Sequence, residues 1–231
     1  MAERVAPALH ALCEHLIDYA GVFPPATLSF EQACANYDAY KRGPYAWMLR
    51  RFVVDAARAD AVPQGWPIAV LGDTDHPRAE AIETKTAVGT AKPTYCEVSL
   101  CELAEVKRVG SFAKLRCASA TTRQIATFIR ECRLLELPFK LTAGLHDPIT
   151  SAHAHGFINV FLAASLAGTG RLEGILDEQD ASSFQFTDQA RWRDYVLTID
   201  QIRATRMHFA HSLGSCSFED PIRGLKALEW L

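Results

Sequence analysis

The chain has 231 residues, 49% of them hydrophobic and 22% charged, with a formal net charge of −3. That length fills one hydrophobic core and leaves little for another, so a single domain over 1–231 is expected, and the composition excludes a disordered chain. The slight negative charge excludes a global field that would draw the protein to nucleic acid.

The elements follow in chain order. Met1 to Asp18 scatters Glu3, Arg4, His10, Glu14 and His15, which breaks the charged-then-apolar layout of a secretion signal. Leu16–Phe23 reads as a first strand or as the end of an N-terminal helix. Ser29 with Gln32 three residues on has capping-box spacing, and that helix should run to about Lys41, before Gly43-Pro44. Arg51–Asp55 and Ile68–Leu71 read as strands, His76–Val88 as a helix with Pro77 in its first turn, and Tyr95–Leu100 and Phe112–Cys117 as strands. Thr121 or Thr122 opens an amphipathic helix carrying Ile125, Phe128, Ile129 and Cys132, which ends before Pro138. Phe139–Ala143 is the next strand and His155–Ala167 the next helix, stopped by Gly168. The run Phe157–Ala167 is interrupted by Asn159 and Ser165 and falls well short of the roughly 20 apolar residues of a membrane span. Leu172–Glu178 reads as a short helix, Phe184–Leu197 as a β-hairpin by its polar–aromatic alternation, and Thr198–Arg206 as a helix. Met207–Leu213 is the last strand, and Ser217 caps the last helix with Asp220 at its third position.

Apolar runs alternating with amphipathic segments are the rhythm of βα units. Right-handed crossovers set successive strands side by side, and seven or eight such strands favour closure. The expected fold is therefore α/β, a (βα)8 TIM-barrel-like domain, with an open doubly wound sheet second. The rhythm breaks around the seventh strand, which is sought within Gly156–Ala164, with an inserted hairpin after it. Neither GxGxxG nor GxxxxGK[ST] occurs, and no cofactor is expected. The seven cysteines form no CxxC pair, and several sit in apolar runs, as in a reduced, disulfide-free cytoplasmic protein.

Strand parity carries the functional reading. In Phe112-Ala-Lys-Leu-Arg, Ala113, Leu115 and Cys117 face the helices, so Lys114 and Arg116 face inward; in Phe139-Lys-Leu-Thr-Ala, Lys140 and Thr142 do the same. A buried ammonium needs a partner, and Glu97 on the preceding strand is the natural one. Two crowded ammonium groups favour a neutral amine, which is a nucleophile. Arg116 has the geometry to clamp a carboxylate or phosphate, and Glu97 to move protons. Ala113-Lys114-Leu-Arg-Cys and Phe139-Lys140-Leu-Thr-Ala-Gly144 resemble the two lysine strands of class I aldolases of the deoxyribose-phosphate type. The resemblance implies a barrel enzyme with Lys114 as Schiff-base nucleophile and Lys140 as its helper. Arg116 and Cys117 depart from the small residues of that pattern.

Further candidates ring the mouth. His146, in the loop after the Lys140 strand, suits acid–base work. Gly214, Ser215 and Ser217, ahead of the last helix, form a candidate anion cradle. Asp18 is an additional carboxylate, Asp73 a turn residue, and Cys216 is read as packing. The expected activity is that of a lyase or isomerase acting on a small anionic carbonyl metabolite. One alternative is a metal-dependent hydrolase using Asp18, Glu97, His146 and His208 or His211, although His208 and His211 would point to opposite faces of one strand. Another is a non-catalytic anion-binding barrel. Neither nucleic acid nor membrane is an expected partner. Leu225, Leu228, Trp230 and Leu231 serve either a homo-oligomer contact or the closing of the barrel end.

Overall fold

The computed structural model describes residues 5–73 and 75–231. The strands are β1 (Ile17–Tyr19), β2 (Leu49–Asp55), β3 (Ile68–Leu71), β4 (Ala81–Thr84), β5 (Thr94–Glu97), β6 (Phe112–Arg116) and β7 (Phe139–Thr142), then β8 (Phe184–Phe186), β9 (Gln189–Trp192), β10 (Tyr195–Thr198) and β11 (Ala210–Ser215). The strands β1 to β7 and β11 pair in parallel and close into an eight-stranded barrel, β11 joining β7 to β1. The expected (βα)8 TIM-barrel architecture is the observed one.

Alternation explains how such short strands hold. Ile82, Cys96, Ala113, Phe139, Leu141 and Leu213 point outward into the main core, under the helices. Their neighbours Val53, Ala69, Ala81 and Tyr95 point inward as a separate, smaller cluster. Both faces of every strand are therefore covered, as parallel sheets require.

The helices are α1 (Pro7–Cys13), α2 (Phe30–Arg42), α3 (Ala56–Ala59), α4 (Leu103–Arg108), α5 (Thr122–Leu134), α6 (Phe157–Ser165), α7 (Leu172–Leu176), α8 (Ile199–His208) and α9 (Glu219–Ala227). The expected caps are present: Ser29 accepts from the Gln32 N–H, Thr121 and Gln124 form a capping box, and Ser217 accepts from the Asp220 N–H. None of the helices is long and apolar enough to cross a membrane, among the described residues.

Two expectations need correction. His76–Val88 is not helical: it holds β4, and among the described residues the links from β3 to β4 and from β4 to β5 carry no helix. Ala81 and Glu83 face the barrel interior while Ile82 faces the main core, a period of two that four residues are too few to advertise. Conversely, Gly156–Ala164 is no strand but the cap and nearly the whole of α6. The rhythm thus breaks at the fourth strand as well as in the insertion between β7 and β11, which hold the seventh and eighth places.

The segment between α7 and α8 is a three-stranded antiparallel meander, one strand more than the hairpin expected. It docks through Trp192, whose indole N–H donates to Glu178 at 3.3 Å, and through Arg193, which binds the same carboxylate. Helix α6 is anchored by Asn159, fully buried and fully satisfied. Its side-chain oxygen accepts from the Thr150 N–H, and its amide donates to the Ile175 and Glu178 carbonyls.

Candidate functional site

Inside the barrel the alternating side chains form one chain of charges. Asp18 on β1 binds Lys140 on β7 at 2.6 Å, and Lys140 binds Glu83 on β4 at 2.5 Å. The other oxygen of Glu83 lies 3.0 Å from Lys114 on β6, and Lys114 lies 3.1 Å from Glu97 on β5. Registers explain why they meet: Glu97 is level with Lys114, Lys114 with Lys140, and Asp18 with Gly214, beside Thr142. The β7–β11 register slips between Ala210 and Leu213, and Ser212 there donates to Asp18 at 2.7 Å. The backbone N–H of Arg51 reaches the other Asp18 oxygen.

The electrostatics follow from that order. Burial alone would raise the Asp18 carboxyl, but Lys140, Arg51 and Arg50 outweigh it and hold it far below the usual carboxylate range. Glu83 behaves likewise: burial raises it, Lys140 and Lys114 lower it, and the net shift is downward. Burial pushes the Lys140 amine down, Asp18 and Glu83 push it up, and it ends above its ordinary value. Lys140 is thus a fixed cation at 1% exposure, bound on two sides by carboxylates.

Above this chain lies a cavity of about 740 Å³ at the C-terminal ends of the strands. Lys114, Glu83, Glu97, Arg116, Thr142, His146 and Gly214 line it, and Lys140 does not. Gly144 leaves β7 at φ 76°, where a side chain is strained, and a Cβ there would come 2.7 Å from the Ala118 Cα. A Cβ on Gly214 would come 2.9 Å from the Thr142 hydroxyl, so at both places glycine permits a close approach that a side chain would block. Arg116 and Lys85 stand exposed at the rim, and neither has an ion-pair partner within 4.0 Å among the described residues.

His146 is half-buried at the mouth. Its Nδ1 lies 3.3 Å from Asp220 and its Nε2 lies 3.9 Å from the Cys216 sulfur. Cys216, read from sequence as packing, instead lines the cavity beside an imidazole. Burial pushes its thiol up, so the sulfur is protonated near neutral pH and is a poor resting nucleophile.

The sequence-predicted residues thus divide. Lys114, Glu97, Arg116, Thr142, His146 and Gly214 come together at the mouth, with Lys140 and Asp18 directly beneath through Glu83. Ser215 and Ser217 do not line the cavity: the Ser215 hydroxyl donates to the Ser217 carbonyl and the Ser217 hydroxyl caps α9. The donors of the metal alternative lie apart. Asp18 and Glu97 are bound to lysines, His208 is exposed at the end of α8, and His211 pairs with the Tyr95 hydroxyl at 2.9 Å. Among the described residues, no three His, Cys, Asp or Glu side chains gather as ligands. Sequence reasoning missed Glu83, Lys85 and Asp220. A count of charges was the available signal for Glu83, since Glu97 alone leaves one buried ammonium short of a partner.

No protein-family model and no curated protein matches the chain. Among solved structures, that of a tetrameric deoxyribose phosphate aldolase from Aeropyrum pernix is similar to it, at 12% identity and a TM-score of 0.38, over 96% of this chain and 93% of that one.

Proposed function

We propose that the chain works as one domain and is an enzyme of lyase or isomerase type, acting on a small carbonyl compound that carries a carboxylate or phosphate. Lys114 is its Schiff-base nucleophile. The observation that carries this reading is the position of the Lys114 amine, on the floor of the mouth cavity and braced by Glu83 and Glu97. Lys140 is no rival nucleophile, because it is sealed from the cavity and held protonated. Its part is to share Glu83, so that Lys114 does not hold that carboxylate alone. Lys114 would lose its proton to Glu97, attack the carbonyl carbon, and expel the oxygen as water with a proton from His146. Arg116 and Lys85 at the rim would take the anionic group of the substrate. The reading does not call on a metal or an organic cofactor.

Borohydride trapping tests it. With a panel of small phosphorylated or carboxylated aldehydes and keto acids, one reduced adduct should appear on the peptide containing Lys114. Lys114→Met, shown to fold by its melting transition, should abolish it. An adduct only on other lysines, or none with any member of the panel while ligands still bind, would overturn the Schiff-base role and leave an anion-binding barrel.

A further inference from the structure

The opposite end of the barrel holds a second cavity, of about 920 Å³. It lies where β2 and β11 begin, walled by α2 and by the last turns of α8. Five permanently cationic side chains line it: Lys41, Arg50, Arg51, Arg203 and Arg206. The lining carboxylates are Glu14 and Glu80, both exposed.

Two of the guanidinium groups lack the partners their burial calls for. Arg51 is 8% exposed, and its Nε and Nη1 are buried without a hydrogen bond among the described residues. The nearest carboxylate oxygen to its Nε, on Glu80, is 3.4 Å away and belongs to a side chain 56% exposed. Arg206 repeats the pattern: its Nε and Nη1 are buried and unpartnered, and its Nη2 reaches only the Glu14 and His15 carbonyls, each at 3.3 Å. Folded proteins seldom leave buried donors unmade, because each costs the desolvation of a polar group. Burial lowers Arg51, but Asp18, Tyr95 and Glu80 outweigh it and raise it, whereas the groups on the α8 and β11 side feel crowded positive charge. Burial, then Arg50, Arg206 and Arg51, drive the His211 imidazole down to about 4, and burial with Arg50 lowers Arg206 to about 10.

We infer that this N-terminal cavity is a binding site for a polyphosphate anion, distinct from the mouth. Guanidinium forks match phosphate oxygens two by two. The cations enter from three sides, Arg50 and Arg51 on β2, Arg203 and Arg206 on α8, and Lys41 on α2. Five cationic side chains against two exposed carboxylates exceed the charge of a single phosphate, which favours linked phosphates over one. The site also touches the buried chain of charges, since the Arg51 backbone N–H binds Asp18. Its existence is independent of any role for Lys114.

Calorimetric titration with inorganic pyrophosphate, phosphate and sulfate at fixed ionic strength tests the inference. Pyrophosphate should bind at one site per chain, tighter than phosphate or sulfate. Arg206→Gln should weaken it by about tenfold or more, the worth of a lost charge-assisted hydrogen bond. Lys41→Ala and Arg203→Ala, both at exposed positions, should weaken it without unfolding the protein and carry the test if Arg206→Gln fails to fold. Arg116→Ala, at the other end, should leave it unchanged. Equal affinity for all three anions, no binding at millimolar pyrophosphate, or binding lost in Arg116→Ala and kept in Lys41→Ala and Arg203→Ala would overturn it.

Discussion

A lysine amine at 1% exposure is tolerable only while its partners stay charged, and Lys140 has two such partners. Removing one member of a buried ion pair strands the other, at a cost of about 3–5 kcal/mol. Lys140→Met should therefore destabilise the protein by about that much in urea unfolding at pH 7, since it strips Asp18 of its ion-pair partner and leaves Glu83 with Lys114 alone. Lys114→Met should cost less, because Glu97 is partly open to water. The pH dependence separates this account from simple loss of packing. In the wild type the Asp18 and Glu83 carboxyls titrate below their unfolded values, so their contribution is present above those values and disappears as pH falls through the lower folded ones. Lys140 titrates above its unfolded value, so its contribution is complete below that value and is lost only as pH rises through the folded one. In Lys140→Met the strongest influence lowering both carboxyls is gone, so each titrates higher than in the wild type and its protonation costs the variant less. The stability gap between wild type and variant should narrow as pH drops from about 7 towards 4, the ordinary carboxylate range. A gap constant over that range would assign the loss to packing alone.

Single polar residues also hold whole elements. Helix α6 is almost wholly apolar, and Asn159 is its link to the 150, 175 and 178 backbone. Asn159→Ala leaves two buried backbone groups unpaired, the Thr150 N–H and the Glu178 carbonyl, and each carries a desolvation cost, so a loss of about 3 kcal/mol is expected by urea denaturation. A loss under about 1 kcal/mol would mean that water replaces the amide. From sequence, Asn159 registers only as an interruption in an apolar run. Other elements were open to reading where local chemistry specifies them: α2 and α5 by their caps, and β2, β3, β6 and β7 by apolar runs with one inward parity. Lys114 and Lys140 were found by that same parity. Strand β4 was hidden because four residues carry too little period and Pro77 imitates a helix start. Glu83 was hidden with it, since a glutamate on a supposed surface helix asks for no partner. The approach of His146 to Cys216 and Asp220, and the gathering of Arg50, Arg51 and Arg206 at the far end, depend on how distant segments close the ring. No local pattern encodes those contacts.

Closure of the ring has a consequence for the whole molecule that the seven cysteines report. All are free thiols, but their settings differ. Cys101 is exposed, Cys34 and Cys216 are partly covered, and Cys13, Cys96, Cys117 and Cys132 are buried. Burial raises the Cys13 and Cys117 thiols to about 12, which removes the thiolate as well as the access. The four buried sulfurs are spread around the fold, on α1, on β5, just past β6 and on α5. If the barrel opens cooperatively, they share one protecting event, and no local fraying exposes one ahead of the rest. Maleimide labelling followed by peptide mass spectrometry should modify Cys101 first, Cys34 and Cys216 more slowly, and the four buried sites together at a rate set by global unfolding. Urea below the transition should speed the last group uniformly. Native-state labelling of Cys13 or Cys117 at the rate of Cys101 would show that the ring opens in parts, and the shared interior of Asp18, Lys140, Glu83 and Lys114 would then lack the enclosure on which its charges depend.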